Sequence, residues 1–160
     1  MPNELSLYRN ELNRLLDSLI DSIEGLDEAQ LNWRPPAPDA NSCYVIATHV
    51  LGNLEAWVLG IACGRPIERD RPAEFAAAGP TVAPIAARAQ ELAGEFERAL
   101  SELPTGALDE QRQPPKTLWG VGTPAPRTTR EALMETIEHA AVHIGQIQIT
   151  RDLARAGAGS

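Results

Sequence analysis

Apolar residues recur along the chain in four blocks with helical spacing, separated by stretches rich in proline and glycine. In the first block Leu5, Tyr8, Leu12, Leu15, Leu16, Leu19, Ile20 and Ile23 share one face, while Asn10, Asn13, Asp17 and Asp21 lie elsewhere. This pattern predicts a helix from about Glu4 to Glu24, opened by Asn3 as N-cap and stopped at Gly25. One short helical turn is expected over residues 26–34, before Pro35 and Pro36 end it. The second block, from Asn41 or Ser42 to Cys63 or Gly64, is apolar nearly all round, as in a buried helix. Residues 65–80, with Pro66, Pro72, Gly79 and Pro80, read as loop. Thr81 is the expected cap of a third helix, striped by Ile85, Ala89, Leu92, Phe96 and Leu100 and ended by Pro104. Proline-rich residues 105–127 predict a short hairpin or a long crossover, and no helix. A fourth helix should open at Thr128, with Glu131 completing a capping box, and run to about Ala154. The sum is one all-α domain over residues 1–155, a four-helix bundle with long crossover connections, followed by a flexible tail at 156–160.

Composition narrows what such a bundle does. Aromatic residues make up only 4% of the 160, so the core must be built from Leu, Ile, Val and Ala. Net charge is −8 and lysine occurs once, at Lys116, with no basic cluster. Nucleic acid and anionic membrane surfaces are therefore not expected partners. No window reaches the roughly 20 uninterrupted apolar residues of a membrane span. The acidic, polar start does not resemble a signal peptide, which leads to an expectation of cytoplasmic localisation. Cys43 and Cys63 fall twenty residues apart on one expected helix, about 30 Å, so they are expected as free, buried thiols.

The candidate chemistry lies in the three histidines. His139 and His143 are four residues apart and stand one above the other on a helix. On a helical wheel Leu133, Ile137, Ala140, Ile144 and Gln148 take the core side, and Thr136, His139, His143, Gln146 and Thr150 form a neighbouring polar stripe. Ser42, Ile46, Asn53 and Trp57 share the side of His49. A single histidine on an apolar helix is ordinarily a hydrogen-bonded core residue. Three that converge on one cation remove three desolvation costs together. Imidazole nitrogens suit zinc, nickel or iron(II) better than calcium or magnesium, and three protein ligands leave a coordination position open. No general base stands out: Glu138 is expected to face solvent and Glu135 to lie on the outer flank. Asn53, Gln146 and Thr136 are the candidates for orienting ligands or substrate. Trp33, Trp57 and Trp119 are candidates for lining the cleft, and Arg151 lies two turns beyond His143.

Leu31-Asn32-Trp33-Arg34-Pro35, Asn41-Ser42, His49 followed by Glu55, and His139-Ala140-Ala141-Val142-His143-Ile144-Gly145-Gln146 ending in Arg151 extend the picture. In these segments, and over nearly its whole length, the chain resembles the DinB/YfiT-like superfamily of metal-binding four-helix bundles. The resemblance implies that His49, His139 and His143 bind one divalent ion, often nickel or zinc, and that the protein forms a homodimer. Some members of that superfamily are S-transferases that use bacillithiol or mycothiol. The implied function is thus a metal-dependent transferase joining a low-molecular-weight thiol to a small electrophile, in stress or detoxification. A metal-dependent hydrolase and a non-catalytic metal-binding bundle are the alternatives.

Overall fold

The computed structural model describes residues 3–104 and 106–157. Asn3 accepts the Ser6 amide proton at 2.9 Å and opens α1, Glu4–Ile23, as its capping side chain suggests. Leu12, Leu15, Leu16, Leu19 and Ile23 are buried, with Leu5, Tyr8 and Ile20 packed against them. The short α2, Glu28–Asn32, is opened by a capping box between Asp27 and Gln30. Ser42 caps α3, Cys43–Leu54, whose last turn passes into a π-helical stretch, Glu55–Ala62. There the Cys63 amide donates to the Val58 carbonyl at 3.0 Å, one residue further back than in an α-helix. Cys43–Ala62 has the length and composition of a membrane span, and most of it is buried inside the bundle, as in a core helix.

Two expectations fail between α3 and the third long helix. Residues 65–80 are not all loop, because Asp70 accepts the Ala73 amide proton at 3.0 Å and starts α4, Arg71–Phe75, with Pro72 in its first turn. Pro72 lacks only an N–H that the first turn does not use. Thr81 does not cap the third long helix, α5, Ala83–Ser101; its N-cap is Val82, with no side-chain bond. The stripe of Ile85, Ala89, Leu92, Phe96 and Leu100 is buried as expected.

The long connection after α5 holds a 3-10 turn, Ala107–Asp109, then strand β1, Gln111–Arg112, and a four-residue helix, α6, Lys116–Trp119. The helical turns contradict the expectation of no helix. The expected hairpin is present: β1 pairs antiparallel with β2, Arg127–Thr128, with Gln111 opposite Thr128. The last helix, α7, spans Thr129–Gly157. Its capping box is formed as read: Thr128 N–H donates to Glu131 at 2.7 Å, and Glu131 N–H donates to Thr128 Oγ1 at 3.1 Å. Ala156 and Gly157, expected in the tail, are helical; residues 158–160 of that tail lie outside the described residues.

The four long helices form the bundle. α7 packs along α1, α3 and the π-helical stretch, and α1 packs along α5. On α7 the buried positions include Leu133, Thr136, Ala140, Ile144 and Ile147, with Thr150 and Ala154 beyond them. Gln148, placed on the core side by the wheel, is exposed, and its neighbour Ile147 takes that place. Each fully buried leucine or isoleucine contributes about 1.5–3 kcal/mol through loss of apolar surface to water. That burial fixes the rotation of α7 and carries its histidines to the edge of the core.

Candidate metal centre

The pairing of α3 with α7 brings the three histidines together. One ring nitrogen from each of His49, His139 and His143 lies within 4.8 Å of the other two. The ring centroids are 5.2 Å apart for His49 and His139, 5.1 Å for His49 and His143, and 4.3 Å for His139 and His143. His49 is buried, and the α7 pair is partly exposed.

Two of the rings are locked by hydrogen bonds. His49 Nδ1 lies 2.8 Å from Glu74 Oε2 on α4. An ionised carboxylate can only accept, so Nδ1 carries a proton, and Nε2 is the nitrogen left to act as a ligand. His143 Nδ1 lies 2.6 Å from Gln146 Oε1, which again leaves Nε2 as the basic nitrogen. His143 Nε2 and His139 Nε2 face each other at 3.2 Å. Two ligand nitrogens about 2.0–2.1 Å from a tetrahedral zinc would stand about 3.3 Å apart. His139 Nδ1 is buried and has no hydrogen-bond partner among the described residues. The donor set therefore fits a nitrogen-binding divalent cation: three imidazoles, two with a proton fixed on Nδ1 by a hydrogen bond.

Electrostatics keep the α7 pair neutral. Burial, the charge of His143 and then that of His49 push the His139 pKa down to about 3. Burial also lowers that of His143, against the bond to Gln146, which raises it. Burial alone would raise the Glu74 carboxyl. The bonds from His49 and Arg69 outweigh it and hold Glu74 below the ordinary carboxylate range.

Glu74 is itself held from behind. Arg69 Nε donates to Oε1 at 2.7 Å and Arg69 Nη2 to Oε2 at 2.9 Å, and both side chains are almost fully buried. Gly52, one turn after His49 on α3, makes room for this carboxylate. A Cβ there would stand 2.2 Å from Glu74 Oε1. Phe75, the residue after Glu74, lies against the other side of His49, centroid to centroid 4.9 Å.

Two cavities flank the histidines, and His49 lines both. The smaller, about 180 Å³, is bounded by Asn53, Trp57, Arg69, Arg71, Trp119 and Glu135 as well as Thr136 and His139. The larger, about 370 Å³, lies toward Phe75, His143, Gln146 and the 35–41 loop. Trp57 and Trp119 meet at 5.4 Å, so the π-helical stretch and α6 together make a wall of the smaller cavity. A match to the family model of the DinB superfamily covers residues 9–147. The chain belongs to the DinB superfamily. Its fold is also that of a conserved protein from Enterococcus faecalis, with 17% identity, a TM-score of 0.73 and coverage of 98% of this chain and 99% of that one. A DinB-like protein from Bacillus cereus ATCC 10987 is similar at 20% identity and a TM-score of 0.62, over 93% of this chain and 87% of that one. No curated protein matches the chain.

Within this DinB fold the candidate residues separate into groups. Asn53 and Thr136 join beside the histidines, Thr136 Oγ1 donating to Asn53 Oδ1 at 2.9 Å. Gln146 holds His143, and Trp57 lines the smaller cavity. Glu135 lines it too, rather than lying outside the site, with Arg127 Nε at 3.1 Å; Glu138 is exposed as expected. Arg151 lines neither cavity and bonds its neighbour Asp152 at 2.9 Å. Trp33 lines neither cavity. Glu55 pairs with Arg88 of α5 at 2.8 Å, away from the histidines. Asn32 donates to the Gly79 carbonyl at 2.9 Å and accepts its amide proton at 3.2 Å, and so pins the far end of the segment that carries α4. Glu74, Arg69, Phe75 and Arg71 are functional candidates that sequence reasoning missed. The signal for them was Asp70-Arg71-Pro72, a capping residue followed by a first-turn proline.

Proposed function

We propose that this DinB-superfamily protein binds one divalent metal ion through His49, His139 and His143 and catalyses transfer of a low-molecular-weight thiol to a small electrophile. A divalent cation at the histidines would acidify a coordinating thiol, so that the thiolate prevails at neutral pH. The observation that carries this reading is that cavities lie on both sides of the histidine cluster, with His49 in each wall. Two reactants can then approach one centre from different directions, which a transfer reaction needs and hydrolysis of one substrate does not. Orientation is the protein's share of the work. Glu74 and Gln146 fix the imidazoles of His49 and His143, and Trp57 and Trp119 give the smaller cavity an apolar wall. In a substitution the S–C bond forms as the bond from carbon to the leaving group breaks, and the thiol proton departs with that group; in an addition it forms as a carbon–carbon π bond breaks, and the proton passes to the adjacent carbon.

Elemental analysis of untagged protein and of a His139→Ala, His143→Ala variant tests the metal. About one ion per chain in the wild type and almost none in the variant is expected. Thiol consumption with bacillithiol or mycothiol and a panel of small electrophiles tests the transfer. Ester or amide turnover by the metal-loaded protein without added thiol would replace this reading with a hydrolytic one.

A further inference from the structure

The smaller cavity contains a guanidinium whose N–H groups have no acceptor among the described residues. Acidic residues outnumber basic ones 22 to 14 in this chain, so a basic side chain ordinarily finds a carboxylate. Arg69 has both oxygens of Glu74, and Arg127 has Glu135. Arg71 has no hydrogen bond and no ion pair among the described residues, although it lines the cavity between Arg69 and Gly120. Its Cζ lies 5.0 Å from the centroid of Phe75, across the ring face, and its charge also helps to lower the His139 pKa. That contact uses the flat face of the guanidinium and leaves the N–H groups of its edge available.

A second donor points to the same kind of ligand. Asn53 is only 7% exposed and lines the cavity. Its carbonyl oxygen is taken by Thr136, and its Nδ2 has no acceptor among the described residues. Asn53 Nδ2 is not fully enclosed, so it can donate to a ligand in the cavity. Cation and amide together form a site for an anion, and Glu135 on the rim is compensated by Arg127.

We propose that the smaller cavity binds the carboxylate of a short, planar organic acid, with Arg71 as its anchor. The proposal rests on the catalytic reading of the histidine site and narrows its substrate class. A guanidinium edge matches a planar carboxylate in a paired, parallel, charge-assisted geometry that a neutral carbonyl does not offer. The volume of about 180 Å³ is well below the roughly 300–1,000 Å³ of a pocket for a larger ligand. The flat Trp57 side chain favours an unsaturated or aromatic body over a bulky saturated one. A molecule held at Arg71 shares its cavity with Trp57 and His139.

Benzoate and its neutral counterpart benzamide separate charge recognition from shape. Titrations of the purified protein, followed by tryptophan emission and by calorimetry, are expected to show benzoate binding. R71Q should weaken benzoate by about 10-fold or more, the loss of a charge-assisted pair, and R71K should restore part of it. Benzamide should bind weakly and equally to wild type and R71Q. Failure of benzoate to bind wild type, or equal benzoate affinity in R71Q, overturns the proposal. An equal loss of benzamide in R71Q also overturns it, because Arg71 would then act by packing on Phe75. Metal content measured on the same samples keeps the two readings apart. Arg71-dependent benzoate binding by protein devoid of metal would remove the proposed function and leave the carboxylate site standing. Full metal without benzoate binding would do the reverse.

Discussion

Replacing Glu74 by glutamine strikes two neighbours at once. His49 loses an anionic partner, and the buried Arg69 loses its counter-charge. Uncompensated burial of one member of such a pair typically costs about 3–5 kcal/mol, which urea denaturation would read. Metal affinity should fall about 10- to 100-fold, as it does when a partner of a ligating histidine is removed. Gly52→Ala should weaken metal in the same direction with a smaller loss of stability, because its Cβ displaces Glu74 without discharging it. Equal metal affinity in both variants and wild type would show that His49 does not depend on Glu74. The thiols make a contrasting prediction. Burial pushes both Cys43 and Cys63 up to about 11, so neither should react with iodoacetamide at neutral pH in the folded protein. A thiol raised in the folded state contributes stability that is intact below its unfolded value, about 8.5, and lost as pH rises toward 11. Alkaline unfolding over that interval, weakened by Cys43→Ala, is the expected result. At this scale the histidines were legible because two share a helical face and the third lies in an apolar block. Glu74 and Arg69 were not, because a five-residue helix is too short to carry a periodic signal.

Among the helices, the start of α7 offers a clean test. Thr128→Ala removes the side-chain half of its capping box and should cost about 1 kcal/mol in chemical denaturation, without changing metal content. Loss of metal in that variant would mean that the hairpin before α7 bears on the site. The stripes of α1 and α5 were readable because polar residues mark the opposite face. The π-helical stretch was not, because a segment apolar on every side carries no phase from which the width of its turns could be inferred. The one-residue error on α7, Gln148 for Ile147, has a related origin. Thr136 is buried and hydrogen-bonded to Asn53, so the core face holds a polar residue that shifts the apparent stripe.

For the whole molecule, a cation at the histidines would join α3 to α7 across ninety residues of chain between His49 and His139. Binding to the folded state alone stabilises it by about 2.7 kcal/mol when free metal is 100 times its Kd. With about 2–4 °C of Tm per kcal/mol at this size, metal should raise the Tm by about 5–10 °C, and a chelator should reverse it. The His139→Ala, His143→Ala variant should show no such shift. A metal-independent Tm in the wild type would rule out specific loading at this place. The bundle itself was foreseeable from four periodic blocks. Which faces meet was foreseeable only through chemistry, since three imidazoles had a common reason to be neighbours and the apolar residues did not specify a unique pairing.

The bond between Glu74 and His49 has a consequence for diagnosis. It makes a surface connection, residues 65–80, an accessory of the core. Asp70 starts the short helix that presents Glu74, and it touches no histidine. A lesion at Asp70 would therefore appear in the laboratory as metal deficiency in a protein whose three ligands are intact, and would be misassigned to the ligands unless the connection were sequenced as well.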